Sequence, residues 1–445
     1  MAAVWWVRRD ARTHDNPAAL KAQSEGPAAA VFPWSPRLHF WSGRRRAHLA
    51  RVLWDLREST GGALAVWHGN PADVVLAAAL EAGASTVWAQ REYSPSAVAE
   101  QEAVEAALAA HGIELSLEGS PYLVAPGRVR TGAGSPYQVF TPYLRAWRTH
   151  GWRNPAPHAN PRRWLALGEG IGPVISLDEE AARGDTEDPL AETLEFREDR
   201  WLTHLKDFTK LSLAAYEEAR DRPDLKGTSG LSVALAYGQI HPRTIAAAVK
   251  ARGAQAGDGA SAFMAELAWR DFHADVLLHQ PTALRQSIKE VLPPDAWDSG
   301  PEAESRLVAW KQGRTGFPLV DAGMREMAAT GVMHNRVRMV VASFLVKDLH
   351  LPWQRGADHF RRMLVDYDHA QNQLNWQWVA GTGTDAAPYF RIFNPEAQRE
   401  RFDPELAYVR RWVAELDTPE YPTPMVDHAH ERARALEDYQ RGRGA

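Results

Sequence analysis

What most restricts this chain is a change of hydrophobic period part-way along its 445 residues. In the first 120 residues, short apolar runs alternate with stretches of helical spacing. Ala3–Val7, Ala28–Trp34, Leu64–Trp67, Thr86–Ala89 and Ile113–Leu117 read as strands. Arg44–Glu58, Pro71–Ala82 and Pro95–Ala110 read as helices, with Pro71 and Pro95 where a first helical turn tolerates proline. Strands separated by helices imply a parallel sheet covered on both faces, so residues 1–120 are expected to form a doubly wound, Rossmann-like α/β domain. From 121 to 200 the periodicity fades while Pro, Gly and charge rise, which predicts a long connector. Residues 201–445 are expected to form an all-α domain, with apolar residues at three- and four-residue spacing in Ala262–Leu278, Gly323–Ala329, Arg336–Lys347, Ala357–Leu364 and Ala370–Val379.

Composition removes several functional classes. With no Cys, the chain has no disulfide, thiolate zinc site, iron–sulfur cluster or cysteine nucleophile. A net charge of −5 gives no general attraction to nucleic acid, so such a partner needs a local basic face. MAAVWWVRRD lacks the apolar core of a signal peptide, and no run approaches the roughly 18 apolar residues of a membrane span. A cytoplasmic monomer away from membranes is the expectation. The first strand runs into Arg8-Arg9-Asp10 without a GxGxxG fingerprint, so fold class alone names no dinucleotide.

Chemistry has to be sought further along. Gly227–Ser232 reads GTSGLS, whose three hydroxyls and two glycines before a helix suit a phosphate or, more plainly, an N-cap and tight turn. Asp366 and Asp368 precede a helix that carries Asn372, Trp376 and Trp378 where a plain core would use Leu and Ile. The carboxylates can cap that helix; the amides and indoles ask for a ligand. GVMHNRVRM puts Asn335, Arg336 and Arg338 at another helix start, read either as a solvated turn or as the polar rim of a cavity. Glu266, Trp269 and Arg270 occupy neighbouring positions in an apolar helix, where a charge needs a partner. The loop GTGTDAAPYFRIFNP follows the Asn372 helix.

GTSGLS, ELAWRDF, TGFPLVDAGMRE, MHNRVRMVVASFLVKDL, DYDHAQNQLNWQW and GTGTDAAPYFRIFNPEAQ, in this order, resemble the photolyase and cryptochrome family, most of all its class I cyclobutane pyrimidine dimer photolyases. The likeness runs from VWWVRRDARTHDNPAAL to about Leu416 and implies an FAD-binding helical domain. By this resemblance, Tyr216 and Thr228, Ser229, Gly230, Leu231 and Ser232 hold the adenosine and pyrophosphate. Asp366, Tyr367 and Asp368 stand beside the flavin ring with Arg338 as partner of the first; Asn372 faces its N5, and Arg270 belongs to the same set. An Asn there can switch between donating and accepting, which favours a reduced, anionic flavin.

The resemblance also implies a DNA substrate containing cyclobutane pyrimidine dimers. Trp269 and Trp378 flank the flipped dimer, Glu266 hydrogen-bonds it, Asn335 and Met339 complete the pocket, and Arg220, Arg336 and Gln398 approach the DNA. Trp376 and Trp353 match the inner members of the family's electron relay, and Trp297 is the candidate for the outer one. Asn335 and Met339 stand where six-four photolyases carry histidines, and the iron–sulfur branch needs cysteines that are absent. The folate and deazaflavin signatures are missing around Arg91 and Ala97, whereas FWSGRRRAH resembles flavin-accommodating variants, which leaves a second, antenna chromophore as an unidentified option. The expected activity is light-driven dimer repair. A cryptochrome-type photoreceptor is the alternative, and a dark flavin oxidoreductase lacks any nicotinamide signature.

Overall fold

The computed structural model describes residues 2–24, 26–168, 170, 175–187, 195–385 and 390–444. Two stretches named above lie partly outside them: residues 386–389 of GTGTDAAPYFRIFNP and residues 169, 171–174 and 188–194 of the expected connector. The chain packs as two compact units, one of Met1–Pro136, Leu144–Leu213 and Ser229–Leu278, the other of Tyr137–Tyr143, Ala214–Thr228 and His279–Ala445.

In the first unit, strands β1 (Ala2–Trp6), β2 (Ala28–Trp34), β3 (Leu64–His68), β4 (Ala84–Ala89) and β5 (Glu114–Leu117) form a parallel sheet in the order β3-β2-β1-β4-β5. Val4 sits beside Ala29 on one side and Val87 on the other. Helices α1 (Pro17–Ala22), α2 (Gly43–Ser59), α3 (Pro71–Glu81) and α4 (Pro95–Ala109) make the crossovers, and α1, α3 and α4 each begin on a proline. Val4, Trp6, Val31 and Val87 bury one face of the sheet against Val75 and Leu108, and Trp5, Ala28 and Ala30 at the alternate positions are buried as well, which is why these strands read as continuous apolar runs. A two-residue strand, β6 (Trp164–Leu165), joins β2 alongside Ala28 and Ala29.

After α5 (Phe140–His150) and α6 (Leu177–Glu187) come α7 (Glu198–Leu211), α8 (Tyr216–Ala219), α9 (Ser232–Tyr237), α10 (Pro242–Ala251) and the long α11 (Gly257–His279). Three side chains of α11 fasten the chain that leaves the sheet. The buried Asp271 carboxylate accepts from the backbone N–H of Leu123 at 3.2 Å and Val124 at 2.7 Å and from the Trp147 indole at 2.9 Å. Asp275 accepts from Gly127 N–H at 2.6 Å, and Arg270 donates to Pro121 O at 2.7 Å. Burial outweighs these hydrogen bonds and pushes Asp271 up to about 6.

The second unit is built on α12 (Pro301–Lys311), α13 (Pro318–Thr330), α14 (Asn335–Lys347), α15 (Trp353–Met363), α16 (His369–Ala380), α17 (Pro395–Phe402), α18 (Ala407–Trp412) and α19 (His428–Gly444). Trp310, Val320, Met327, Val341, Phe344, Trp353 and Trp376 lie in its core. Close crossing is bought with glycine at Gly356, where a Cβ would stand 2.1 Å from the Trp376 ring. Among the described residues no helix is long and apolar enough to cross a membrane, and no cluster of His, Asp or Glu could hold a metal.

Candidate functional site

In the second unit two helix starts converge on one cavity. His334 caps α14, its Nδ1 accepting from Arg336 N–H at 3.2 Å. Burial pushes this imidazole down to about 4, so it is neutral near pH 7. Helical spacing then brings Asn335, Arg338, Met339 and Ala342 onto one face of α14. Asp368 caps α16, accepting from Ala370 N–H at 2.9 Å and Gln371 N–H at 3.1 Å. The same geometry aligns Asp368, Asn372, Trp376 and Val379. All of these side chains line the cavity, together with Phe360, Asp366 and Tyr367.

The cavity's charge is fixed by a fork. Arg338 Nη2 reaches both Asp366 oxygens, at 3.1 and 2.8 Å, while its Nε donates to Met333 O at 2.8 Å. The Asn372 amide donates to Ala357 O at 3.1 Å and to Gln373 Oε1 at 2.6 Å. Trp378 is partly buried, with the Arg391 guanidinium 5.2 Å from its ring. Gln398, on α17, has a buried Oε1 with no donor among the described residues.

The other candidates of this unit fall into two groups. Tyr216 is buried on α8 under the Arg220 guanidinium, 5.8 Å away, and Asp221 binds Arg336 at 2.7 Å. Gly227 closes on α8 so tightly that a Cβ would lie 2.6 Å from Ala219 O, which leaves Thr228 exposed. Trp353, fully buried, donates its indole N–H to Ser287 Oγ at 3.1 Å. It shares the lining of a 300 Å³ cavity with the partly exposed Trp297.

Within the first unit, Gly230 turns the chain at φ +63° and Leu231 caps α9 without a side-chain hydrogen bond, leaving Ser232 exposed at the helix start. Ser229 O is bonded to His204 Nε2 at 2.7 Å. Glu266, Trp269 and Arg270 follow on α11. The first two are partly exposed; Arg270 is buried and stacked 4.6 Å from the Tyr122 ring. Trp269 packs edge-on against Phe272 at 5.7 Å.

Comparison with known proteins decides what this geometry belongs to. Residues 263–419 match the FAD binding domain of DNA photolyase, and residues 3–162 match DNA photolyase. A deoxyribodipyrimidine photo-lyase of Halobacterium salinarum is 37% identical over 99% of both chains. The chain belongs to the DNA photolyase family. A second relative of that name, from Thermus thermophilus, is 39% identical over 97% of this chain and 96% of its own. Among solved structures, a class III photolyase from Agrobacterium tumefaciens superposes with a TM-score of 0.88 at 34% identity, covering 100% of this chain and 98% of its own.

The family's cofactor is FAD, and the residues fit it. Arg338, Asp366, Asp368 and Asn372 offer donors and acceptors to the edge of a flavin ring, and Phe360, Trp376 and Val379 offer an apolar wall. Two neighbours of this site escaped the sequence. Trp310, fully buried, lies 6.3 Å from the Trp376 ring, centroid to centroid. Gln377, also fully buried, donates to Ala283 O at 2.7 Å and accepts from Ile288 N–H at 2.9 Å, fastening 283–288 to α16. A Gln between two indoles in an apolar helix was the available signal.

Proposed function

We propose that this chain repairs cyclobutane pyrimidine dimers in DNA, driven by light and using FAD. The observation that carries this reading is the cavity of α14 and α16, with its Arg338–Asp366 fork, capping Asp368 and buried Asn372, in a chain similar over nearly its full length to proteins named deoxyribodipyrimidine photo-lyase. When bound and reduced, FAD supplies the light-excited electron that opens the cyclobutane ring and takes it back afterwards, so no net redox change occurs.

The chain's own residues hold, sort and shield. Arg338 neutralises Asp366 and fixes its direction, so the negative charge in the cavity stays local. The carboxylate of Asp368 is committed to two backbone N–H groups, which makes it a rigid acceptor rather than a mobile base. Asn372 keeps one amide hydrogen on Ala357 O, which orients the group. Tyr216 and Thr228–Ser232 hold the adenosine and pyrophosphate of FAD, and Arg270 joins the set around its flavin ring.

For the substrate, the indole faces of Trp269 and Trp378 stack against a dimer taken out of the helix, a step made cheaper by the dimer's poor pairing. Glu266 hydrogen-bonds a pyrimidine carbonyl, with Asn335 and Met339 completing the pocket. Arg220, Arg336 and Gln398 meet the DNA backbone, so affinity falls steeply with salt. Trp297, Trp353 and Trp376 form a relay from the surface inward, in keeping with one partly exposed and two buried indoles. The test is to illuminate the reduced protein with dimer-containing oligonucleotide. Pyrimidine absorbance should return, and no return beside a working repair enzyme would sink the proposal.

A further inference from the structure

The segment that carries Trp297, the proposed outer member of the relay, is held by α19. Trp297 stands between two aspartates, and each is paired with an arginine of α19. Asp295 binds Arg441 at 2.9 Å, and Asp298 binds Arg434 at 2.6 and 3.2 Å. Arg306 of α12 takes the remaining position on Asp298 at 2.8 Å, and Asp298 N–H donates to His350 O at 2.9 Å. Asp298 is thus held by its backbone and by both carboxylate oxygens.

The helix that supplies these arginines is itself fixed at both ends. At its start, His428 bonds Asp348 at 2.5 Å and Glu431 bonds His350 at 2.8 Å. At its end, Gly442 lies so close to 291–292 that a Cβ would stand 2.4 Å from Val291 O. Val291, Leu292 and Trp297 line the same 300 Å³ cavity as Trp353. Desolvation would raise the Asp298 carboxyl, but the Arg434 and Arg306 hydrogen bonds outweigh it and hold it below the usual range.

We propose that Arg434 is a positioning residue for light-driven electron uptake: through Asp298 it fixes the Trp297 indole beside the cavity it shares with Trp353. Electron transfer between indoles falls exponentially with the gap between their edges, so a small displacement of Trp297 costs rate without touching the flavin or the lesion pocket. Arg306 alone reaches one oxygen of Asp298, whereas the Arg434 fork grips both. The proposal rests on the reading of Trp297 as the outer relay member.

The experiment uses the full chain with oxidised FAD, illuminated with a thiol reductant, and follows bleaching of the flavin band in Trp297→Phe, Arg434→Met and Arg434→Lys. Trp297→Phe should slow bleaching severely, Arg434→Met several-fold, and Arg434→Lys should recover part of the rate. Dimer repair by chemically reduced Arg434→Met should match the parent. If Trp297→Phe bleaches at the parent rate, the relay reading fails and the positioning role with it. If Trp297→Phe is slow but Arg434→Met is not, the relay stands and the positioning role is refuted. Equal losses of bleaching, repair and FAD content in Arg434→Met would make the contact general scaffolding and overturn the proposal as well.

Discussion

Gly356 offers a substitution in which two effects of opposite sign can be weighed against each other. Replacing an interior helical Gly by Ala ordinarily stabilises by about 1 kcal/mol, because Gly has more backbone freedom to lose. At this site the added methyl would meet the Trp376 ring at 2.1 and 2.5 Å and the Leu345 side chain at 2.6 Å. Apolar carbons sit comfortably at about 3.5–4.0 Å, so the ring would have to retreat by more than about 1 Å. It has nowhere to go, since Phe360 lies 5.0 Å and the fully buried Trp310 6.3 Å from its centroid. Overpacking of this kind costs about 1–3 kcal/mol, and contacts this short place it at the upper end. The net expectation for Gly356→Ala is a loss of about 2 kcal/mol, read as a lower urea midpoint of the FAD-loaded protein. Flavin photoreduction should slow in parallel, because Trp376 is the ring that moves. Adding Trp376→Phe should recover much of the stability, a coupling expected only of residues in contact. A variant more stable than the parent, with unchanged photoreduction, would refute the packing argument.

Four further outcomes are expected. Glu266→Ala should keep its FAD spectrum but lose about tenfold or more in repair yield, the worth of one hydrogen bond to a charged group. Arg338→Met strands the Asp366 carboxylate, only 3% exposed; since Arg338 is itself a quarter exposed, the cost is about 2 kcal/mol, seen as faster FAD release on dilution. Asp221→Asn frees Arg336 from its 2.7 Å pair, so DNA binding should tighten at low salt and its salt dependence steepen; unchanged titrations would remove Arg336 from the DNA surface. The fourth concerns acid. Burial, helped by Arg51, pushes His48 down to about 3, and neither ring nitrogen has a hydrogen-bond partner among the described residues. Its folded value lies below the unfolded one, so its contribution is fully present above about pH 6.5 and is lost as pH falls toward 3, by up to about 1.4 kcal/mol per unit. The urea midpoint of His48→Phe minus that of the parent should therefore grow from pH 6.5 to 4. Taking the difference cancels the opposite contribution of Asp55 and Asp271, both raised to about 6 mainly by burial.

How far this was readable from sequence follows the range of the forces involved. The five strands stand within about two residues of their expected places, because a buried parallel strand is a continuous apolar run and prolines mark the helices that follow. α13 was expected only over Gly323–Ala329, yet it begins at Pro318, a first-turn proline that was not used. β6 has two residues and therefore no period to detect. α6 falls within 121–200, where only a connector is expected, and α19 lies beyond the last helix that spacing predicts, since neither carries an apolar stripe. α19 is instead held by ion pairs and hydrogen bonds to residues 80–146 positions away, which no local window contains. At the site, the cap Asp368 is legible from neighbouring residues and the Arg338–Asp366 fork comes through resemblance, whereas His334 as the cap of α14 is a finding of the structure. Trp310 was not legible: its contact with Trp376 is a product of packing alone.

The fastening of 121–127 to α11 sets an order of events during synthesis. Val124 N–H and its acceptor on Asp271 are 147 residues apart. At about 5–20 residues per second, the ribosome takes roughly 7 to 30 s to make the acceptor after the donor. Throughout that interval the strands of the sheet can pair, but the N–H groups of Leu123, Val124 and Gly127 lack the acceptors that Asp271 and Asp275 later supply. The first unit can therefore close only once Leu278 has been made, with the 214–228 stretch of the other unit already emerged and waiting for partners that begin at His279. A nascent chain stalled shortly before α11 should hold a formed sheet beside an exit segment open to protease, and release past His279 should close it.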